Sequence, residues 1–226
     1  VSQDPTAVLS PAGRAALERV LALLAKERAS VSSVVDARAW QVHVADSLTG
    51  LEVPDLRSAQ RIADVGAGAG FPGLALAVAL PTAQVDLIES VSRKCAFIER
   101  AATEAQIANA TVLNTRSEEW ATSDGQELYE AVTARAVGRL STLAELASPL
   151  LKPNGVLVAW KGKRDPEEES QLERASESLA MTPEAVLDVG THAGSQHRHL
   201  HIIRKTGPTP DTLPRRPGMA KKRPRG

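Results

Sequence analysis

Apolar positions along the chain follow two rhythms. Leu17, Val20, Leu21 and Leu24 recur at helical spacing behind Ser10-Pro11, with charges between them. Trp40, His43, Val44 and Leu48 form a second stripe, which predicts a helix over residues 36–51 stopped by Pro54. Beyond it, short apolar runs alternate with amphipathic stretches. The runs predict strands at 61–65, 84–88, 110–113, 131–134 and 155–160, with 186–189 and 200–204 as a closing pair. Helices are predicted at 73–80, 92–105 and 140–151, and a charged one at 166–179. Strand and helix in alternation imply a parallel sheet covered on both faces. Ligands of such sheets sit at the carboxyl ends of the strands, near the switch in strand order.

The first predicted strand runs into Asp64-Val65-Gly66-Ala67-Gly68-Ala69-Gly70-Phe71-Pro72-Gly73, followed by an apolar helix. A glycine turn between strand and helix lets a ligand approach the backbone, and the helix start offers free N–H groups. Gly66, Gly68 and Gly70 are spaced one residue apart, whereas a dinucleotide fingerprint sets its third glycine one residue later. Asp64 before the turn would repel a pyrophosphate but suits a cationic, amine-bearing ligand such as S-adenosylmethionine. Glu89 ends the second strand, where a carboxylate can accept from both ribose hydroxyls. Arg116-Ser117-Glu118-Glu119 follows the third, where an adenine edge would lie. Each feature has a plainer reading, as a solvated strand end or a helix cap. In this order and at these strand ends they favour S-adenosylmethionine together.

Composition narrows the acceptor and the setting. The chain of 226 residues is large enough for one α/β domain with a sizeable core. Its single cysteine, Cys95, excludes an intrachain disulfide and a cysteine metal cluster, and it falls inside a predicted amphipathic helix rather than at a nucleophile's place. No metal site is expected. His192, His197, His199 and His201 are too loosely arranged for one. Where amine methyltransferases carry an Asn/Asp-Pro-Pro-aromatic motif, this chain has Thr133-Ala134-Arg135-Ala136. A ring nitrogen with a free lone pair, such as guanine N7, needs neither device and no general base. Net charge is zero, yet residues 204–226 carry eight basic side chains and one acid. A basic tail on an acidic body suits a polyanionic partner as well as plain solvation. With no membrane-length apolar run and no signal-like start, the chain is expected to be soluble and cytoplasmic.

These residues carry a resemblance to a family. The segments are His43-Val44-Ala45-Asp46-Ser47, the glycine turn with its Phe71-Pro72-Gly73 extension, Arg116-Ser117-Glu118-Glu119 and Ala134-Arg135-Ala136. Trp160-Lys161-Gly162, Arg198-His199-Leu200, Pro208-Thr209-Pro210 and Pro214-Arg215-Arg216-Pro217-Gly218 complete the set. Over about residues 40–224 the chain resembles the bacterial 16S rRNA (guanine-N7) methyltransferases, the RsmG or GidB family.

The resemblance implies a Rossmann-like class I S-adenosylmethionine-dependent fold, with a mostly parallel seven-stranded sheet between helices. It divides the chain into a helical extension (1–57), a core (58–205) and a basic proline-rich tail (206–226), all one domain. It implies methyl transfer to guanine N7 in the 530 loop (the position-527 class) of 16S rRNA within the 30S subunit, by a monomer with no protein partner. The cofactor would be held at Gly66, Phe71, Ser117, Glu118 and Arg135, beside Asp64, Gly68, Gly70 and Glu89. Arg135 would also position the guanine, with His43 and Asp46 on the face of a nearby helix. Lys161, Arg198, Arg215, Arg216, Lys221 and Lys222 would meet RNA phosphates. Val42 stands where the family usually has arginine, and Leu213 where an aromatic is common. With aromatic residues at 3%, docking on a folded ribosomal surface is expected rather than base stacking. A nucleotide-dependent oxidoreductase and a non-catalytic RNA-binding assembly protein are the alternatives.

Overall fold

A computed structural model of the chain describes residues 4–27, 34, 36–190 and 197–226. His192 lies outside them. The seven-stranded sheet has the order β3-β2-β1-β4-β5-β7-β6. The strands are β1 (Arg61–Val65), β2 (Gln84–Glu89), β3 (Ala110–Asn114), β4 (Tyr129–Arg135), β5 (Leu151–Lys161), β6 (Met181–Asp188) and β7 (His199–Lys205). β3 to β5 run parallel; β7 pairs antiparallel with β5, and β6 antiparallel with β7. The order reverses between β1 and β4, so the crevice for a ligand opens at their carboxyl ends. The central strands are buried on both faces, which is why they read as continuous apolar runs. β6 is an edge, with Pro183 and Glu184 exposed on it, residue types that discourage further pairing.

One face carries α1 (Pro11–Lys26), α4 (Gly73–Ala79) and α5 (Ser92–Ala105). Leu17, Val20 and Leu24 of α1 are buried in the core that these helices share with the sheet. Ser10 caps α1 by accepting from the Gly13 N–H, and Pro11 takes the first helical position, where no N–H is needed. The other face carries α7 (Leu140–Ala147) and α8 (Pro166–Leu179), with Leu140, Leu143, Leu172 and Leu179 buried among the strands.

Several boundaries differ from the sequence-based expectation, β5 starting at Leu151 rather than 155 and β6 at Met181 rather than 186. The stripe from Trp40 to Leu48 is not one α-helix but a π-helical turn, Trp40–Ala45, running into α2 (Asp46–Leu48) and a 3-10 turn, Thr49–Glu52. Pro54 does not stop that helix. It opens α3 (Pro54–Ser58) at its first position. The predicted helix over 140–151 ends at Ala147, because Leu151 already pairs with Tyr129 in the sheet.

Candidate active site

β1 ends at Val65 and the chain turns through Gly66, Gly68 and Gly70, at φ of +69°, +60° and +89°. At Gly66 a Cβ would meet Val137 Cγ2 at 2.7 Å, so only glycine lets the turn close against that loop. Gly68 donates its N–H to Glu89 Oε2 at 3.0 Å, and Val91 donates to Oε1 at 2.9 Å. The second strand's carboxylate is thereby fixed across the turn, and it lines a cavity of about 240 Å³. Gly66, Ser117, Glu118 and Val137 line it too. Ser117 and Glu118 lie in α6 (Ser117–Trp120), whose start faces the cavity behind β3. A carboxylate held by two N–H groups and an open backbone beside it suit a nucleoside with a ribose diol. Gly70 and Gly68 shape the turn without lining the cavity.

Asp64 requires a correction. It does not face the cavity: at 1% exposure it accepts from the Gly73 N–H at 2.8 Å and from Thr133 Oγ1 at 3.0 Å. It anchors the start of α4 to the strand. Burial pushes its carboxyl up to about 6, and the Gly73 and Thr133 bonds hold it from going further. Phe71 is buried, its ring stacked 5.1 Å from that of His43.

The loop leaving β4 joins this cavity to a second one, of about 340 Å³. Val137 faces the first; Arg135, Ala136 and Gly138 line the second, with His43, Trp160, Lys161 and Arg198. Ala136 makes the turn at φ +60°, a left-handed conformation that costs an L-residue roughly 1–2 kcal/mol. Arg135 Nη1 donates to Asp46 Oδ2 at 2.7 Å and to the Val42 carbonyl at 3.0 Å. Arg198 Nε sits 2.7 Å from Asp46 Oδ1. Two guanidiniums share one carboxylate and leave a positive charge at the cavity wall. The main chain at Val42 therefore supplies a contact, whatever its side chain lacks. His43 Nε2 is 2.9 Å from the Val34 carbonyl, and burial lowers its pKa, so the ring is neutral near pH 7. The π-turn widens the helix at this point, a distortion that gathers at functional sites. Lys161 Nζ bonds Glu168 at 2.6 Å and the Gly138 carbonyl at 3.0 Å, bracing the same loop.

The comparisons with known proteins now decide the family. The profile described as GidB, rRNA small subunit methyltransferase G, matches residues 16–201. The chain belongs to that family. Among its relatives, the ribosomal RNA small subunit methyltransferase G of Bacillus subtilis (strain 168) is 34% identical over 200 residues, covering 88% of this chain and 84% of the relative. The protein of the same name from Limosilactobacillus reuteri (strain DSM 20016) is 36% identical over 190 residues, covering 80% and 77%. Solved structures share the fold. A SAM-dependent methyltransferase from Aquifex aeolicus aligns at a TM-score of 0.57 and 18% identity, over 76% of this chain and 94% of that one. A Methanococcus jannaschii fibrillarin, a pre-rRNA processing protein, aligns at a TM-score of 0.57 and 16% identity, over 80% and 77%.

In this member of the GidB family the tail is no free polybasic end. Leu213 and Ala220 are buried, and Arg215, expected at phosphates, is engaged with the buried carboxylate of Glu145. Arg216, Lys221 and Lys222 remain exposed. Cys95 is buried and burial raises its thiol pKa, which fits packing. No group of His, Cys, Asp and Glu among the described residues could hold a metal, and no helix among them is long and apolar enough to cross a membrane. The sequence pattern missed Val137 and Thr142. Neither residue type carries a chemical signal, and only the fold turns them into cavity walls.

Proposed function

We propose that the protein transfers a methyl group from S-adenosylmethionine to N7 of a guanine in the 530 loop of 16S rRNA, on the assembled 30S subunit. Once bound, S-adenosylmethionine supplies an electrophilic methyl group on a sulfonium sulfur. Glu89 would accept from the ribose hydroxyls, Gly66 would admit the nucleoside to the backbone, and Ser117 and Glu118 would bound the base. The single observation that carries this reading is the Arg135–Gly138 stretch, one face of which walls each cavity. A donor and an acceptor held on either side of it would meet at Arg135, the carboxyl end of β4.

The second cavity offers hydrogen-bond donors to a purine edge. Guanine N7 bears no proton, so no base is needed, which agrees with a neutral His43 and assigns it a packing and shaping role beside Phe71. Arg135 offers donors to a carbonyl edge, as arginine does to guanine. Asp46, behind the cavity wall, fixes Arg135 and Arg198 in place. Lys161, Arg198, Arg216, Lys221 and Lys222 give the rim the positive charge that rRNA phosphates require. Membership of a methyltransferase family weighs against the oxidoreductase alternative.

The test is methyl transfer to 30S particles from a strain lacking the endogenous enzyme, with labelled cofactor and nucleoside mapping. Label on guanine N7 in that loop is the expected result. Label on another atom or another RNA, with the particles competent for a control enzyme, overturns the assignment.

A further inference from the structure

The tail borders the cavity beside the glycine turn. Gly218, Ala220 and Lys221 line it on the side facing the glycine turn. The Gly218 N–H donates to Glu118 Oε1 at 2.7 Å, and Thr142 Oγ1 donates to the Ala220 carbonyl at 3.2 Å. Glu118 and Thr142 are themselves cavity walls, so two of the tethers lie at its lip. A third lies outside it. The Arg215 guanidinium donates from Nε and Nη2 to the two oxygens of Glu145, at 2.6 and 2.5 Å. Glu145 is 3% exposed on α7, and Arg225 Nε approaches it at 4.0 Å. A forked, charge-assisted pair on a buried carboxylate is the strongest kind of side-chain tether available.

We propose that residues 218–221 are part of the cofactor-binding site and that the Arg215–Glu145 pair is the clasp that retains the cofactor. The proposal rests on reading the cavity as the cofactor site. A molecule in the cavity touches the strap on one side and Glu118 on the other, and its exit requires the strap to lift. By linkage, a bound nucleoside holds the strap down as firmly as the strap holds the nucleoside. Arg216, Lys222 and Arg223 beside the strap are exposed.

The test uses the full chain and S-adenosylhomocysteine as probe. Arg215→Gln removes the fork and leaves every cavity-lining residue in place. Gly218→Ala perturbs only the strap's turn, since a Cβ there meets nothing within 4 Å while φ stays at +81°. Glu89→Gln serves as the control for the cavity itself. Calorimetry is expected to give a dissociation constant weakened about tenfold in Arg215→Gln, and less in Gly218→Ala, with unliganded melting lowered in Arg215→Gln, where Glu145 keeps only Arg225 nearby, and the fold retained by circular dichroism. The probe is also expected to slow tryptic cleavage after Lys221 and Lys222 in the parent and not in Arg215→Gln. Unchanged affinity in both strap variants, with binding lost in Glu89→Gln, overturns the clasp and keeps the cavity. Unchanged affinity in all three overturns both.

Discussion

Arg135 at the end of β4 and Asp46 at the start of α2 are 89 positions apart in sequence and 2.7 Å apart in space. Asp46 is 1% exposed along its side chain and holds Arg198 as well. This carboxylate fixes two cations, one ending β4 and one just before β7, at the wall of one cavity. A residue before β1 thus shapes the wall of the second cavity.

Arg135→Ala is expected to lower methyl transfer about a hundredfold, because the group that positions the acceptor is lost. Asp46 keeps Arg198 as partner, so the fold should survive. Single-turnover transfer to 30S particles, measured beside thermal unfolding, checks both halves. Turnover within twofold of the parent would remove Arg135 from the site.

Ala136 holds the loop between the cavities in a left-handed turn. Ala136→Gly should relieve that conformation and raise stability by about 1 kcal/mol in urea unfolding. The same change loosens the wall shared by both cavities, so turnover should fall while stability rises. A variant that is both less stable and fully active would contradict the strain.

Asp64 makes stability depend on pH in an unusual direction. Its folded pKa, about 6, lies above its ordinary 3.8, so the folded protein binds the extra proton between these values. Stability is therefore greatest below 3.8 as far as this group acts, and declines as pH rises through 6. Asp64→Asn should flatten that decline in chemical unfolding followed from pH 4 to 7. An unaltered slope would mean the carboxyl titrates normally.

Glu127 acts in the opposite sense. Lys205 and Thr209 hold its carboxyl down to about 2, so its contribution is complete above 4.5 and is lost as pH falls towards 2. Its partner Lys205 is 0% exposed and also donates to the Leu151 carbonyl at 2.7 Å. Glu127→Gln should cost about 3 kcal/mol at pH 7, because a buried ammonium loses its counter-charge. Urea unfolding reads the loss, and the acid limb of the stability profile should flatten with it. A cost under about 0.5 kcal/mol would show that water, not Glu127, satisfies Lys205.

Much of the architecture could be read from periodicity. The apolar runs gave every strand within a few residues, since central strands buried on both faces leave a continuous signal. The glycine turn was legible from its spacing, and Glu89 and Ser117, singled out at their strand ends, line the cavity beside it. Asp64 misled: a charge before the turn suggests a ligand, and nothing local says that Gly73 and Thr133 will claim it. The tail misled by composition. Its cations predict solvent or RNA, while Leu213 and Ala220, the residues that dock it, carry almost no sequence signal.

The sequence by itself determined the sheet, the helices and the turn, because backbone preference and apolar spacing act between neighbours in the chain. Only the tertiary structure decided which charges are spent inside the protein. Asp46 on Arg135 and Arg198, Glu145 on Arg215, and Glu127 on Lys205 join residues far apart in sequence. Such pairs form because packing removes water from both partners at once, and no spacing along the chain encodes that.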